Sequence, residues 1–258
     1  MYFDWKRIIF SQWSLWRVYI NTRYEMVGER GVKMSSVTEN VQEVLEDIKK
    51  YSIYPERVKL VAVTKYPIVT KEKLEELMKN GIFSFGENRV QVLEEKLELL
   101  GDEKDKIQWN FIGNLQKNKV KYIIDFIHMI HSINKLSLAE EVNKRAEKIG
   151  RVVDVLIEIN LSGEDSKEGY ELEEFYKDIP ELVKLKNLNI CGLMTMAPNT
   201  DDENLIRGSF RKLREIKDSV NNKFNNNLTE LSMGMSGDYK IALEEGATII
   251  RIGSKLYE

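Results

Sequence analysis

Residues 58–100 read VKLVAVTKYPIVTKEKLEELMKNGIFSFGENRVQVLEEKLELL, and they set the pattern for the rest of the chain. The run 58–64 is apolar and rich in β-branched residues, as a buried strand requires. Residues 71–80 change to helical spacing. A second short apolar run follows at 82–85, and 88–100 return to helical period. One strand, one helix, one strand, one helix is the unit of a parallel sheet covered by helices.

Outward from this stretch the alternation continues. Strands are predicted near 107–112, 127–131, 152–161, 190–196, 228–233 and 248–252, and helices near 114–122, 135–149, 170–186, 202–220 and 238–246. The helix over 202–220 shows its buried face through Ile206, Phe210, Leu213, Ile216 and Val220. The asparagine-rich run 221–227 reads as a helix-to-strand loop. A further helix over 36–52 precedes the first strand: Ser36-Val37-Thr38-Glu39 forms a capping-box start, and Val37, Val41, Val44, Ile48 and Tyr51 share one face. Eight such units imply closure, so the expected fold is α/β, a single (β/α)8 TIM barrel with an extra N-terminal helix. An open doubly wound sheet is the alternative, but no G-x-G-x-x-G follows the first strand.

Composition narrows the function. The chain has 258 residues, one cysteine, two histidines and a formal net charge of -3. Cys191 alone excludes an internal disulfide framework or a zinc ribbon. His128 and His131 cannot make a multi-histidine metal site, so no metal is expected. The mild acidity argues against nucleic acid as a partner, and no apolar run reaches the roughly 20 residues of a membrane span. One thiol and 31% charged residues point to a reducing cytoplasm.

Residues 1–33 differ from the remainder. They hold Trp5, Trp13 and Trp16, three of the four tryptophans, and six basic residues against three acidic. Basic and polar residues interrupt the Ile8–Ile20 stretch that a signal peptide would need to keep apolar. A membrane-surface helix is a second reading. The expected one is an atypical leader, disordered or a mis-assigned start, with Met34 as the natural first residue and the barrel occupying 34–258.

In such a barrel the working face is the carboxyl end of the strands. Lys65 directly follows the first strand. There, burial and neighbouring cations would favour its neutral amine, the form able to make a Schiff base. Gly234-Met235-Ser236-Gly237 follows the seventh strand, and Gly253-Ser254 the eighth. Glycines let backbone N–H groups approach an anion, and Ser236 and Ser254 add hydroxyls. Closure makes strand one a neighbour of strand eight and so sets Lys65 beside that cradle. An amine next to a phosphate cradle is what pyridoxal 5'-phosphate (PLP) requires: an aldehyde held as an imine and an anchored phosphate. Arg251 would face the ring nitrogen, and because arginine donates and never accepts, it would keep that nitrogen unprotonated.

Several motifs carry a family resemblance: Ala62-Val63-Thr64-Lys65, Phe85-Gly86-Glu87-Asn88-Arg89-Val90-Gln91, Phe111-Ile112-Gly113-Asn114-Leu115-Gln116-Lys117-Asn118-Lys119, His131-Ser132, Cys191-Gly192-Leu193-Met194-Thr195-Met196, Leu231-Ser232-Met233-Gly234-Met235-Ser236 and Ile250-Arg251-Ile252-Gly253-Ser254. With them the chain resembles the pyridoxal phosphate homeostasis protein family. The resemblance implies a barrel like the N-terminal domain of alanine racemase and PLP held as a Schiff base on Lys65. It implies phosphate contacts from Ser236, Gly253 and Ser254, Asn88 and Met235 lining the pocket, and Arg251 at the ring nitrogen. It implies a part in intracellular PLP homeostasis without established catalytic turnover. One departure is Asn110, where the family usually has histidine after tryptophan.

The alternative is a PLP-dependent amino-acid racemase. Racemisation needs acid/base groups on both faces of the cofactor. Lys65 can serve one face, and too little chain follows the eighth strand for a second domain to cover the other. The expectation is therefore a monomeric cofactor carrier, not an enzyme and without catalytic residues, making transient contact with apo PLP-dependent enzymes.

Overall fold

A computed structural model describes residues 36–65, 69–161, 168–224 and 227–258. The expectations for residues 1–33 and the start at Met34 lie outside the described residues. The strands are β1 (Lys59–Val63), β2 (Ser84–Glu87), β3 (Gln108–Phe111), β4 (Met129–Ile133), β5 (Val153–Glu158), β6 (Leu188–Met194), β7 (Glu230–Ser232) and β8 (Ile249–Ile252). The α-helices are α1 (Val37–Tyr51), α2 (Lys71–Lys79), α3 (Val90–Leu100), α4 (Leu136–Lys148), α5 (Leu172–Leu182), α6 (Glu203–Phe224), α7 (Tyr239–Glu244) and α8 (Ser254–Tyr257).

The strands are all parallel and close into a barrel in sequence order. β1 pairs with β2 through Ala62 and Phe85, and with β8 through Val61 opposite Arg251. Strand side chains alternate between two environments, as the pleat demands. One set packs under the helices in a continuous sleeve that includes Ala62, Phe85, Trp109, Ile130, Val155, Leu193 and Ile250. The other lines the barrel interior, where Val61, Met129, Leu156, Met194 and Ile249 form a small separate cluster with Cys191 packed on it. The Cys191 thiol is half-buried, and burial pushes its pKa up to about 12, so it is held as an unreactive thiol.

The extra helix is part of the barrel's coat. Val37, Val41, Val44 and Ile48 are buried, and α1 packs against α2, α7 and α8. Asp47 fixes it by accepting hydrogen bonds from the Tyr239 hydroxyl and from Lys240, the latter at 3.0 Å.

Several boundaries differ from the sequence reading. Residues 114–122 were expected to be α-helical; instead a 3-10 helix spans Lys117–Tyr122. Val120 is its one buried residue, and Lys117 and Lys121 would repel each other one α-turn apart. The loop expected over 221–227 is helical through Phe224, because Phe224 extends the apolar stripe of Ile216 and Val220. Asn221 then ties the helix end to the next strand: its side chain accepts from the Leu228 N–H at 2.8 Å and donates to the Leu228 carbonyl at 2.9 Å. β2 and β4 lie two residues later than expected. A two-residue shift keeps every side chain on its face, but it draws Gly86 and Glu87 into β2 and Ser132 and Ile133 into β4.

Candidate functional site

Lys65 stands immediately beyond β1. The residue before it is clamped. The Thr64 N–H donates to the Gly86 carbonyl at 3.0 Å, and its hydroxyl donates to Glu87. Lys96, from α3, donates both to the Thr64 carbonyl and to Glu87. Thr64, Glu87 and Lys96 are all buried, so an ion pair sealed under α3 fixes the backbone from which Lys65 projects. The second Glu87 carboxylate oxygen is buried without a hydrogen-bond partner. Lys65 itself is exposed, not buried as the sequence reading expected, because the strand ends one residue before the buried Thr64 and the chain there has left the barrel wall.

On the other side of β1, the loops after β7 and β8 meet. Gly234 takes φ +92°, and a Cβ there would lie 2.6 Å from that of Ala242, so only glycine suits this bend. Asp238 closes the turn by accepting from the Met235 N–H at 2.5 Å. The Ser236 Oγ accepts from the N–H groups of Gly253 at 3.2 Å and Lys255 at 3.4 Å. Backbone donors thus converge on one oxygen, with Ser254 between them. Met235 is 39% exposed at the rim.

Arg251, on β8, is 4% exposed. It donates to Ser232 Oγ at 2.7 Å and to the Thr195 carbonyl at 3.0 Å. Among the described residues no carboxylate forms an ion pair with it, and burial lowers its pKa to about 10 against the pull of Asp238 and Glu158. A guanidinium has five N–H groups, and these two bonds engage only part of them. Asn88, half-buried after β2, is pinned by the β3 loop: a Cβ on Gly113 would lie 2.4 Å from the Asn88 carbonyl. Asn88 lines an open cavity of about 220 Å³ with Arg89, Asn114, Gln116 and Lys119.

β1 lies between β2 and β8, so every residue singled out in the sequence (Lys65, Asn88, Met235, Ser236, Arg251, Gly253, Ser254) falls on the arc β7-β8-β1-β2. Glu158, at the end of β5, was missed. Burial pushes its carboxyl up to about 7, opposed by the charge of Arg251. An acid between Ile157 and Ile159, directly after the apolar run Val155–Ile157, was the available signal. Unfolded, this carboxyl releases its proton near its ordinary value of 4.5; folded, it keeps it to about 7. The folded state therefore binds more protons in that window, and stability falls as pH rises through it. The apo protein is expected to lose about 3 kcal/mol to this group across the window. Urea melts of Glu158→Gln should lack that loss; identical pH slopes in the two proteins would contradict it.

A closed barrel with a lysine after its first strand and glycine-serine turns after its last two defines a class of protein. The alanine racemase N-terminal domain family matches residues 32–258. Alanine racemase from Clostridium difficile 630 shares the fold at 18% identity, with a TM-score of 0.66 over 85% of this chain and 56% of that one. Nearer relatives are more particular. A pyridoxal phosphate homeostasis protein from Aquifex aeolicus (strain VF5) is 42% identical over 223 residues, 85% of this chain and 96% of the relative. One from Synechocystis sp. (strain PCC 6803) is 39% identical over 79% of this chain and 92% of its own. PipY of Synechococcus elongatus PCC7942, solved with PLP bound, superposes with a TM-score of 0.78 at 30% identity, covering 86% of this chain and all of PipY. The chain belongs to the pyridoxal phosphate homeostasis protein family. These relatives are named for homeostasis and not for a reaction.

Proposed function

We propose that this protein binds PLP at the arc of strand ends around β1 and holds it for the intracellular PLP pool, without sustained turnover. The observation that carries the reading is Arg251: a cation sealed inside the barrel, with no ion-pair partner among the described residues and N–H groups to spare. A buried unpaired charge is costly, and a ring nitrogen that accepts from it offsets part of that cost. Lys65 supplies the amine that holds the cofactor as a Schiff base. Ser236, Gly253 and Ser254 take the phosphate through backbone and hydroxyl donors, and Asn88 and Met235 border the ring. PLP, when bound, supplies an electrophilic aldehyde and a conjugated ring.

Support for a cytoplasmic location comes from the single free thiol; among the described residues no helix is long and apolar enough to cross a membrane. The exposure of Lys65 suits a monomeric carrier from which apo PLP-dependent enzymes collect the cofactor in transient contact.

Titration with PLP is expected to give one visible chromophore per chain. At a hundredfold excess over Kd it should add about 2.7 kcal/mol of stability, several degrees in Tm. The racemase alternative is tested in deuterated water: the α-hydrogens of alanine and serine should not exchange over many turnovers, and sustained exchange would overturn the carrier reading.

A further inference from the structure

A continuous hydrogen-bonded chain runs behind Arg251 through the barrel interior. Arg251 donates to Ser232 Oγ at 2.7 Å; Ser232 Oγ lies 3.0 Å from His131 Nδ1; His131 Nε2 lies 3.2 Å from Asn110 Oδ1. Asn110 Nδ2 is in turn 2.8 Å from the Gln108 carbonyl, 3.2 Å from the Phe85 carbonyl and 2.9 Å from Ser84 Oγ. Ser232, His131 and Asn110 are all buried.

Donor and acceptor roles follow from one end. The carbonyls of Phe85 and Gln108 can only accept, so the nitrogen of the Asn110 amide faces them and its oxygen faces His131. His131 must then carry its proton on Nε2. A neutral imidazole leaves Nδ1 as an acceptor, which takes the Ser232 hydroxyl proton, and the Ser232 oxygen keeps its lone pairs for Arg251. Every bond then runs in one direction, from Arg251 through Ser232, His131 and Asn110 to the carbonyls of Phe85 and Gln108. Burial first, and then the charge of Arg251, hold the His131 pKa well below the usual imidazole value, which keeps the ring neutral.

We propose that Asn110, His131 and Ser232 are positioning residues for Arg251: they fix the aim of its guanidinium and surround it with neutral groups, so that the ring nitrogen of PLP receives a hydrogen bond and stays unprotonated. The proposal rests on the reading that Arg251 faces that nitrogen. It also gives Asn110 a role suited to an amide. The amide has an acceptor for His131 and donors for two carbonyls, and it adds no titrating group behind a buried cation.

The test is ¹⁵N NMR of holoprotein reconstituted with PLP labelled at its ring nitrogen. The wild type should give the unprotonated resonance. Ser232→Ala and Asn110→Ala should each move it toward the protonated position, and Ser232→Thr, which keeps the hydroxyl, should restore it. Arg251→Gln is the control: if it leaves the resonance unmoved, the reading of Arg251 itself fails. If Arg251→Gln moves it while Ser232→Ala and Asn110→Ala do not, Arg251 stands and the positioning chain is overturned. Should the variants fold poorly, the ¹⁵N shifts of His131 in the wild-type apo protein decide. A proton on Nε2 near neutral pH is expected, and a proton on Nδ1 or on both nitrogens would overturn the proposal.

Discussion

Lys96→Met is expected to destabilise the protein by about 3–5 kcal/mol, the cost of stranding a buried charge, and to lower Tm by roughly 10 °C. The substitution nearly preserves side-chain length and leaves α3 its apolar stripe of Val90, Leu93 and Leu100. It removes the cation from a Glu87 carboxylate that is 0% exposed and already has one oxygen without a partner. It also frees the Thr64 carbonyl, so PLP affinity should fall with stability although Lys96 is not among the residues proposed to hold PLP. Glu87→Gln/Lys96→Met should recover most of the loss, since removing both charges leaves no ion unpaired. Denaturant melts of the two single variants and the double variant check this; a Lys96→Met protein within about 1 kcal/mol of wild type would mean the pair is solvated.

Lys65→Ala is expected to abolish covalent PLP binding. Reconstituted variant should show no Schiff-base absorption and no adduct after reduction, and affinity should drop by at least about 100-fold, or ~2.7 kcal/mol. The apo protein should stay folded, because the side chain is exposed beyond the strand end. Lys65→Arg separates charge from chemistry: it keeps a cation but forms no Schiff base, and should behave as Lys65→Ala does. Retention of a covalent chromophore by either variant would move the attachment to another lysine.

The barrel was legible because its signal is periodic and repeated. Each strand announced itself by a short apolar run, each helix by a stripe such as Ile206–Val220, and the count of eight implied closure. The residues on the arc were legible for the same reason: Lys65, Gly234 and Gly253 directly follow strand patterns, and closure joins the two ends of the chain. The clamp and the interior chain were not. Lys96 reads as one more charged residue of a surface helix, although its spacing from Leu93 and Leu100 puts it on the buried stripe. Asn110, His131 and Ser232 each look like an isolated polar residue in an apolar strand. Their meaning arises only when β3, β4, β7 and β8 face one another across the barrel, a proximity that no local pattern encodes. Glu158 was hidden in the same way, since its raised pKa comes from the interior that encloses it.

The most direct test of the cofactor site is borohydride reduction of the PLP-loaded wild-type protein followed by peptide mapping. A single pyridoxyl group on the peptide containing Lys65 is the result expected here; a pyridoxyl group on any other lysine, with Lys65 unmodified, would contradict it.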